Sequence, residues 1–274
     1  MENAIDFFEQ LWSSKKVNLN GSQALWDSRA KEFRKNSSNE RVEQVVELLL
    51  SRQALDEKSE VLDIGCSVGK YTIEFAKKSK KVTGLDILPK MIEFSKKNAL
   101  EQGISNVEFK VLPWEEVDVV ALGWENKFRL ATAIMSPAIS SKECLDKMLA
   151  VSQQYGIMSG HLDKRERVMD EIEKTVLGRS PASYNYGMNL YCSLNMLWQY
   201  GIYPELTYYD MKRKNIRTVE EAFAYYTLML ERKYELTVEE KQSIKKYLDN
   251  ISQNDQVEDL FESRTAWLFW ENEK

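Results

Sequence analysis

The sequence predicts an α/β fold built on an open, mostly parallel sheet, and three observations predict it. The run Val61, Leu62 and Ile64 is short and apolar, as in a buried parallel strand. Gly65 and Gly69 follow, and let the backbone turn sharply into a helix that begins near Lys70. A second apolar stretch, 82–85, then ends at Asp86, seventeen residues past Gly69. A strand that closes in a Gly-rich turn at a helix N-terminus is a ligand site in such sheets. An acidic residue about 20 positions past the first glycine is where a ribose-gripping carboxylate belongs.

The turn departs from a dinucleotide fingerprint. That pattern needs G-x-G-x-x-G, whereas here Ser67 lies where the middle glycine would let a pyrophosphate approach. Asp63, just before the turn, would repel an anion but attract a cation or an amino group. A nucleoside with a sulfonium and an amino-acid tail fits these residues better than NAD. Residues 63–69 (Asp-Ile-Gly-Cys-Ser-Val-Gly) and 84–91 (Gly-Leu-Asp-Ile-Leu-Pro-Lys-Met) resemble motifs I and II of the class I S-adenosylmethionine-dependent methyltransferases. The resemblance covers roughly residues 20 to 160. It implies a Rossmann-like seven-stranded sheet, mostly parallel, with an antiparallel C-terminal hairpin. The implied cofactor is S-adenosylmethionine, with S-adenosylhomocysteine as product.

Composition bounds the alternatives. Charged residues make up 30% and hydrophobic ones 43% of 274 residues, ordinary for a globular protein. No apolar stretch reaches the ~20 residues needed to span a bilayer, and the N-terminus carries acid where a signal peptide carries base. Cys66, Cys144 and Cys192 are too widely spaced for a disulfide framework or a metal cluster. A cytoplasmic protein without metal or membrane contact is expected. The net charge of −5 predicts no nucleic-acid partner. Lys77–Lys81 and Lys212–Lys214 read as solvated faces.

Taken in order, residues 1–40 are expected to form a helical cap over the cofactor site and 41–274 the methyltransferase domain, with a helical insertion at 216–255. Trp26 and Arg29 lie in a segment resembling one that folds over the cofactor in the family; the other reading makes Trp26 a core anchor. Helical spacing marks 41–55 and 88–99, and strands are expected at 61–65, 82–86, 106–111 and 128–135. The resemblance places Asp63, Gly65, Cys66, Ser67 and Gly69 at the cofactor's tail. It places Asp86 on the ribose, with Ile87 and Met91 beside it. The acidic residue that holds the adenine amino group in the family falls in register at Pro113, which cannot do so. Trp114 is then read as stacking on adenine, or as a loop tryptophan packed on the core, and Glu115 as the replacement acceptor.

Met135 and Ser136 close the fourth strand, where an α/β sheet places its crevice. Ser136-Pro137-Ala138 lacks the carboxamide or carboxylate seen at this spot in amino-methylating members. A capping box is expected at Ser140 with Glu143, and others at Thr218 with Glu221 and at Thr237 with Glu240. The fifth strand, 155–162, ends at His161, the chain's single histidine and a candidate general base. Residues 181–210 are rich in tyrosine and amide groups, and Tyr184 and Tyr186 are the candidate substrate contacts beside Ser136. Strands are expected at 205–215 and 264–270, with helices 218–233 and 237–250 between them.

The expected activity is methyl transfer to a small-molecule acceptor, mainly by alignment, in a monomer or homodimer. The alternatives are a protein or RNA methyltransferase, a non-catalytic adenosylmethionine-binding protein, and an NAD-dependent oxidoreductase, the last weakened by Ser67. Because the methyl group arrives already activated, no strong acid–base constellation has to appear.

Overall fold

The computed structural model describes residues 2–13, 39–180, 187–231 and 233–272. Trp26, Arg29, Tyr184 and Tyr186 lie outside the described residues, so the roles expected of them have no structural counterpart here.

Seven strands form one sheet in the order β3-β2-β1-β4-β5-β7-β6. They are β1 (Glu60–Ile64), β2 (Lys81–Asp86), β3 (Val107–Val111), β4 (Phe128–Ile134), β5 (Ser152–Glu166), β6 (Glu205–Thr218) and β7 (Gln256–Glu271). The first five pair in parallel, with Asp63 beside Gly84 on one side and Thr132 on the other. β7 runs against β5: Asn272 N–H donates to the Gln154 carbonyl at 2.6 Å. It also runs against β6, where Arg264 pairs with Asp210, Lys212 with Glu262 and Lys214 with Glu258. The expected sheet and its antiparallel C-terminal pair are therefore present.

The chain divides into two compact units. The first comprises residues 1–160, 187–207 and 266–274. It holds α1 (Glu2–Ser13), α2 (Asn39–Ser51), α3 (Lys70–Ala76), α4 (Pro89–Glu101), α5 (Lys142–Val151) and α7 (Met188–Gln199), α6 belonging to the second unit. Its strands are apolar on both faces, as a covered parallel sheet requires; Val61, Leu62, Ile64, Leu130 and Ile157 are fully enclosed. α5 starts one residue later than expected. Ser141, not Ser140, is its cap, its hydroxyl accepting the Cys144 N–H at 3.2 Å.

The second unit comprises residues 161–186 and 208–265. Here α6 (Arg167–Glu171) and a wider-wound turn, Ile172–Val176, pack with α8 (Val219–Glu231) and α9 (Val238–Ile251). Ile172, Ala222, Tyr226, Leu230, Ile244 and Leu248 form the core. Both predicted caps are reciprocal: Thr218 with Glu221, and Thr237 with Glu240. Asp259 is 1% exposed, accepting the Val168 N–H at 3.0 Å and the Tyr226 hydroxyl at 2.6 Å. Each oxygen thus has a donor, as a buried carboxylate requires.

The last three strands are longer than the sequence suggests. β5 continues five residues past His161, so this histidine lies within a strand and not at its end. β7 begins at Gln256, eight residues before the expected start at 264. Its first half alternates buried and exposed residues, but two of the buried ones, Asp259 and Ser263, are polar.

Candidate cofactor site

The site is built at the carboxyl end of β1. Gly65, Ser67 and Gly69 all adopt left-handed backbone, with φ of 77°, 50° and 81°. The amides of Gly65 and Cys66 both donate to the Leu85 carbonyl at 2.8 Å, tying the turn to β2. At Gly65 a side chain is excluded outright, since a Cβ there would lie 2.0 Å from Ser136 Oγ. The turn and the β4 loop meet at this glycine. Met135, in the same loop, is also left-handed at φ 54°, and its N–H points to the Ser159 carbonyl and hydroxyl at 3.1 and 3.0 Å. Strained backbone of this kind gathers at functional sites.

Asp86 fixes the turn from the neighbouring strand. One carboxylate oxygen accepts the Ser67 N–H at 2.9 Å and the other the Leu88 N–H at 2.9 Å. Burial pushes its pKa up, and the two amide donors oppose that shift. Each oxygen retains a lone pair for a further donor. Ile87 beside it is 37% exposed, whereas Met91 is buried and receives the Ser67 hydroxyl at 3.6 Å. Asn98, on α4, donates to the Val68 carbonyl at 2.9 Å and closes the turn from behind.

Three expectations are corrected. Asp63 does not face a ligand: it is 2% exposed, and its oxygens accept Thr72 Oγ1 at 2.6 Å and Thr132 Oγ1 at 3.0 Å. It cross-links β1, α3 and β4. Trp114 is 2% exposed and its indole N–H donates to the Cys144 carbonyl at 3.0 Å, so neither ring face is open to adenine. It anchors the turn after β3 to α5. The third concerns Cys66, whose side chain is buried with its thiol pKa pushed up by desolvation, so only its backbone serves the turn. Pro113 is half-buried and Glu115 exposed, the Glu115 carbonyl accepting Lys147 Nζ at 2.8 Å. His161 falls in the second unit, its ring edge-on to Phe261 at 6.4 Å.

Thr72, Thr132, Asn98 and Ser159 were missed as supports. Thr132 had a readable signal, a hydroxyl inside the apolar strand Leu130-Ala131-Thr132-Ala133-Ile134. Asn98 had a weaker one, a poor helix former in mid-helix. Thr72 and Ser159 had none.

The Asp63 environment sets a pH dependence. Desolvation raises its pKa from 3.8 to about 6, despite the opposing threonine hydroxyls. The folded state therefore holds this proton more tightly than the unfolded chain, and stability falls as pH rises between these values. This component amounts to about 3 kcal/mol. In Asp63→Asn it is absent: denaturation between pH 4 and 7 should show a smaller decline with pH than in the wild type. Parallel profiles would remove the assignment.

The residues fit an adenosyl cofactor: a turn without side-chain bulk at Gly65, and a carboxylate at the end of β2. Comparison with known proteins agrees. A methyltransferase-domain family model matches residues 55–182. The match covers just under half of the chain and falls on the two motifs that resemble the class I S-adenosylmethionine-dependent methyltransferases. An uncharacterized RNA methyltransferase of Streptococcus agalactiae is 34% identical over 99 residues, 35% of this chain and 21% of that protein. The 23S rRNA (uracil(1939)-C(5))-methyltransferase of Aliivibrio fischeri is 39% identical over 74 residues, 27% of this chain and 17% of that one. The chain thus spans about a fifth of the length of these curated relatives.

Among solved structures, a putative methyltransferase from Bacillus halodurans has a TM-score of 0.52 at 16% identity, covering 82% of this chain and 97% of that one. Magnesium protoporphyrin IX methyltransferase from Synechocystis, with bound SAH, gives 0.50 at 14% identity, covering 98% and 94%. At these identities the structures establish the fold alone. The curated relatives overturn one expectation. The acidic net charge and the aromatic second half predicted a small-molecule acceptor and no nucleic acid, yet the relatives are RNA methyltransferases.

Proposed function

We propose that this chain is an S-adenosylmethionine-dependent methyltransferase and that its acceptor is RNA. The observation that carries the cofactor reading is Asp86, whose two oxygens organise the turn while keeping lone pairs for ribose hydroxyls. The acceptor class rests on the curated relatives.

The cofactor, when bound, supplies a methyl group activated by a sulfonium. The chain's part is to hold and align: Gly65 and Gly69 allow the backbone to come close, Asp86 takes the ribose, and the β4 loop at Met135 and Ser136 borders the turn. Alignment and exclusion of water account for most of the rate such a site needs. The uracil-carbon chemistry named for one relative does not carry over. Methylating that carbon calls for a covalent nucleophile to activate the ring, and the three cysteines of this chain are all buried. A nitrogen or oxygen of RNA is the better acceptor.

Asp86→Ala should weaken S-adenosylmethionine binding about 10- to 100-fold, from lost charge-assisted hydrogen bonds. Radiolabelled methyl transfer to total RNA should fall with it. Wild-type protein that binds the cofactor but labels no RNA would keep the methyltransferase reading and remove RNA. Unchanged affinity in the variant would remove Asp86 from the ribose.

A further inference from the structure

The cofactor proposed above ends in a carboxylate and an ammonium, and no side chain named so far meets either. Asp63, the acid just before the turn, is directed inward onto Thr72 and Thr132. Asp86 is assigned to the ribose. Lys70 directly follows Gly69 and is the single basic residue between positions 59 and 76. Ser67, whose amide is held by Asp86, lies three residues before it, at most ~10 Å of extended chain. The segment is folded back, since the Gly69 N–H donates to the Cys66 carbonyl at 2.9 Å, so the span is shorter still.

Lys70 is the first residue of α3 and is half-buried. Among the described residues no carboxylate pairs with it, and burial alone acts on its ammonium, pushing the pKa down. The acid one turn further on, Glu74, is taken by Lys77 at 2.6 Å. Side chains of a helix lean toward its N-terminus, so that of Lys70 leads back over the turn, away from Glu74. A lysine that packs only its stem extends its ammonium into water. Lys70 instead gives up hydration without a counter-ion, a cost that an arriving anion would offset.

We propose that Lys70 binds the carboxylate at the amino-acid end of the cofactor and makes the site selective for ligands that carry it. This rests on the cofactor reading proposed above. The ammonium donates charge-assisted hydrogen bonds to that carboxylate. Lys70 touches none of the reacting atoms, so its part is recognition and not catalysis.

The test titrates S-adenosylhomocysteine and its decarboxylated counterpart, which keeps the amine and lacks only the carboxylate, against wild type, Lys70→Met and Lys70→Arg. Methionine retains the apolar stem without the charge. Wild type should prefer S-adenosylhomocysteine by about 10-fold or more. Lys70→Met should erase that preference by weakening S-adenosylhomocysteine alone, and Lys70→Arg should keep most of it. If Lys70→Met fails to fold, Lys70→Gln takes its place with the same expected loss. An equal loss on both ligands would mean that Lys70 only shapes the turn, and overturns the proposal. Unchanged affinity for both overturns it too, but leaves the cofactor reading intact, because that reading stands on Asp86. If wild type binds neither ligand, the cofactor reading falls and the role of Lys70 falls with it.

Discussion

Gly65→Ala should abolish measurable S-adenosylmethionine binding and destabilise the fold by about 2–5 kcal/mol. Two effects add at this residue. A left-handed conformation costs a side chain about 1–2 kcal/mol, and here φ is 77°. The new methyl group would also meet Ser136 Oγ at 2.0 Å and Ser136 Cβ at 2.8 Å. The second contact is near the backbone, so rotating the serine side chain cannot relieve it. Either the turn or the β4 loop must move, and both border the cofactor site. Gly103→Ala is the control: φ there is 68°, but nothing lies within 4 Å of the added carbon. It should lose only the conformational part, about 1 kcal/mol, and keep full binding. Chemical denaturation of both variants, with titration of each, separates strain from the close approach. Equal losses would show that contact with Ser136 is irrelevant.

Gly156→Ala should destabilise the protein by about 1–3 kcal/mol or more through overpacking. On β5 the added carbon would sit 2.1 Å from the Trp270 ring, which is 1% exposed and cannot swing out to solvent. The effect should reach the site along a short path. Gly156 pairs with Ala131 on β4, and Ser159, three residues on, holds the strained Met135 amide. Trp270→Phe should rescue part of the loss. It removes ring atoms from the clash together with an indole N–H that has no partner among the described residues. The double variant should therefore be more stable than the sum of the singles predicts, a coupling of about 0.5–3 kcal/mol. Additive losses would mean that β5 bends to accept the methyl group.

The cofactor turn was legible in the sequence because its physics is local. A buried strand, two glycines and an acid at the end of the next strand all lie within 26 consecutive residues, 61 to 86. What the sequence hid is the set of partners brought in from afar. Asp63 reads as an acid beside a cationic ligand until Thr132, from a different strand, is seen to occupy it. Trp114 reads as a stacking platform first and as a core anchor second. The choice depended on the Cys144 carbonyl thirty residues away. The first half of β7 was hidden for another reason: its buried face alternates Val257 and Phe261 with Asp259 and Ser263, so the apolar period is broken. Asp259 is intelligible only beside the Val168 amide and the Tyr226 hydroxyl that it accepts. The whole-chain charge of −5 was a weak guide to the acceptor, since it is a sum that carries no position.

The most direct test of the central claim is calorimetric titration of the intact chain with S-adenosylmethionine, S-adenosylhomocysteine and NAD in parallel, alongside Asp86→Ala. The account predicts saturable binding of both adenosyl ligands, clear weakening of both in the variant, and no binding of NAD. Binding of NAD, or adenosyl binding that ignores the loss of Asp86, would contradict it.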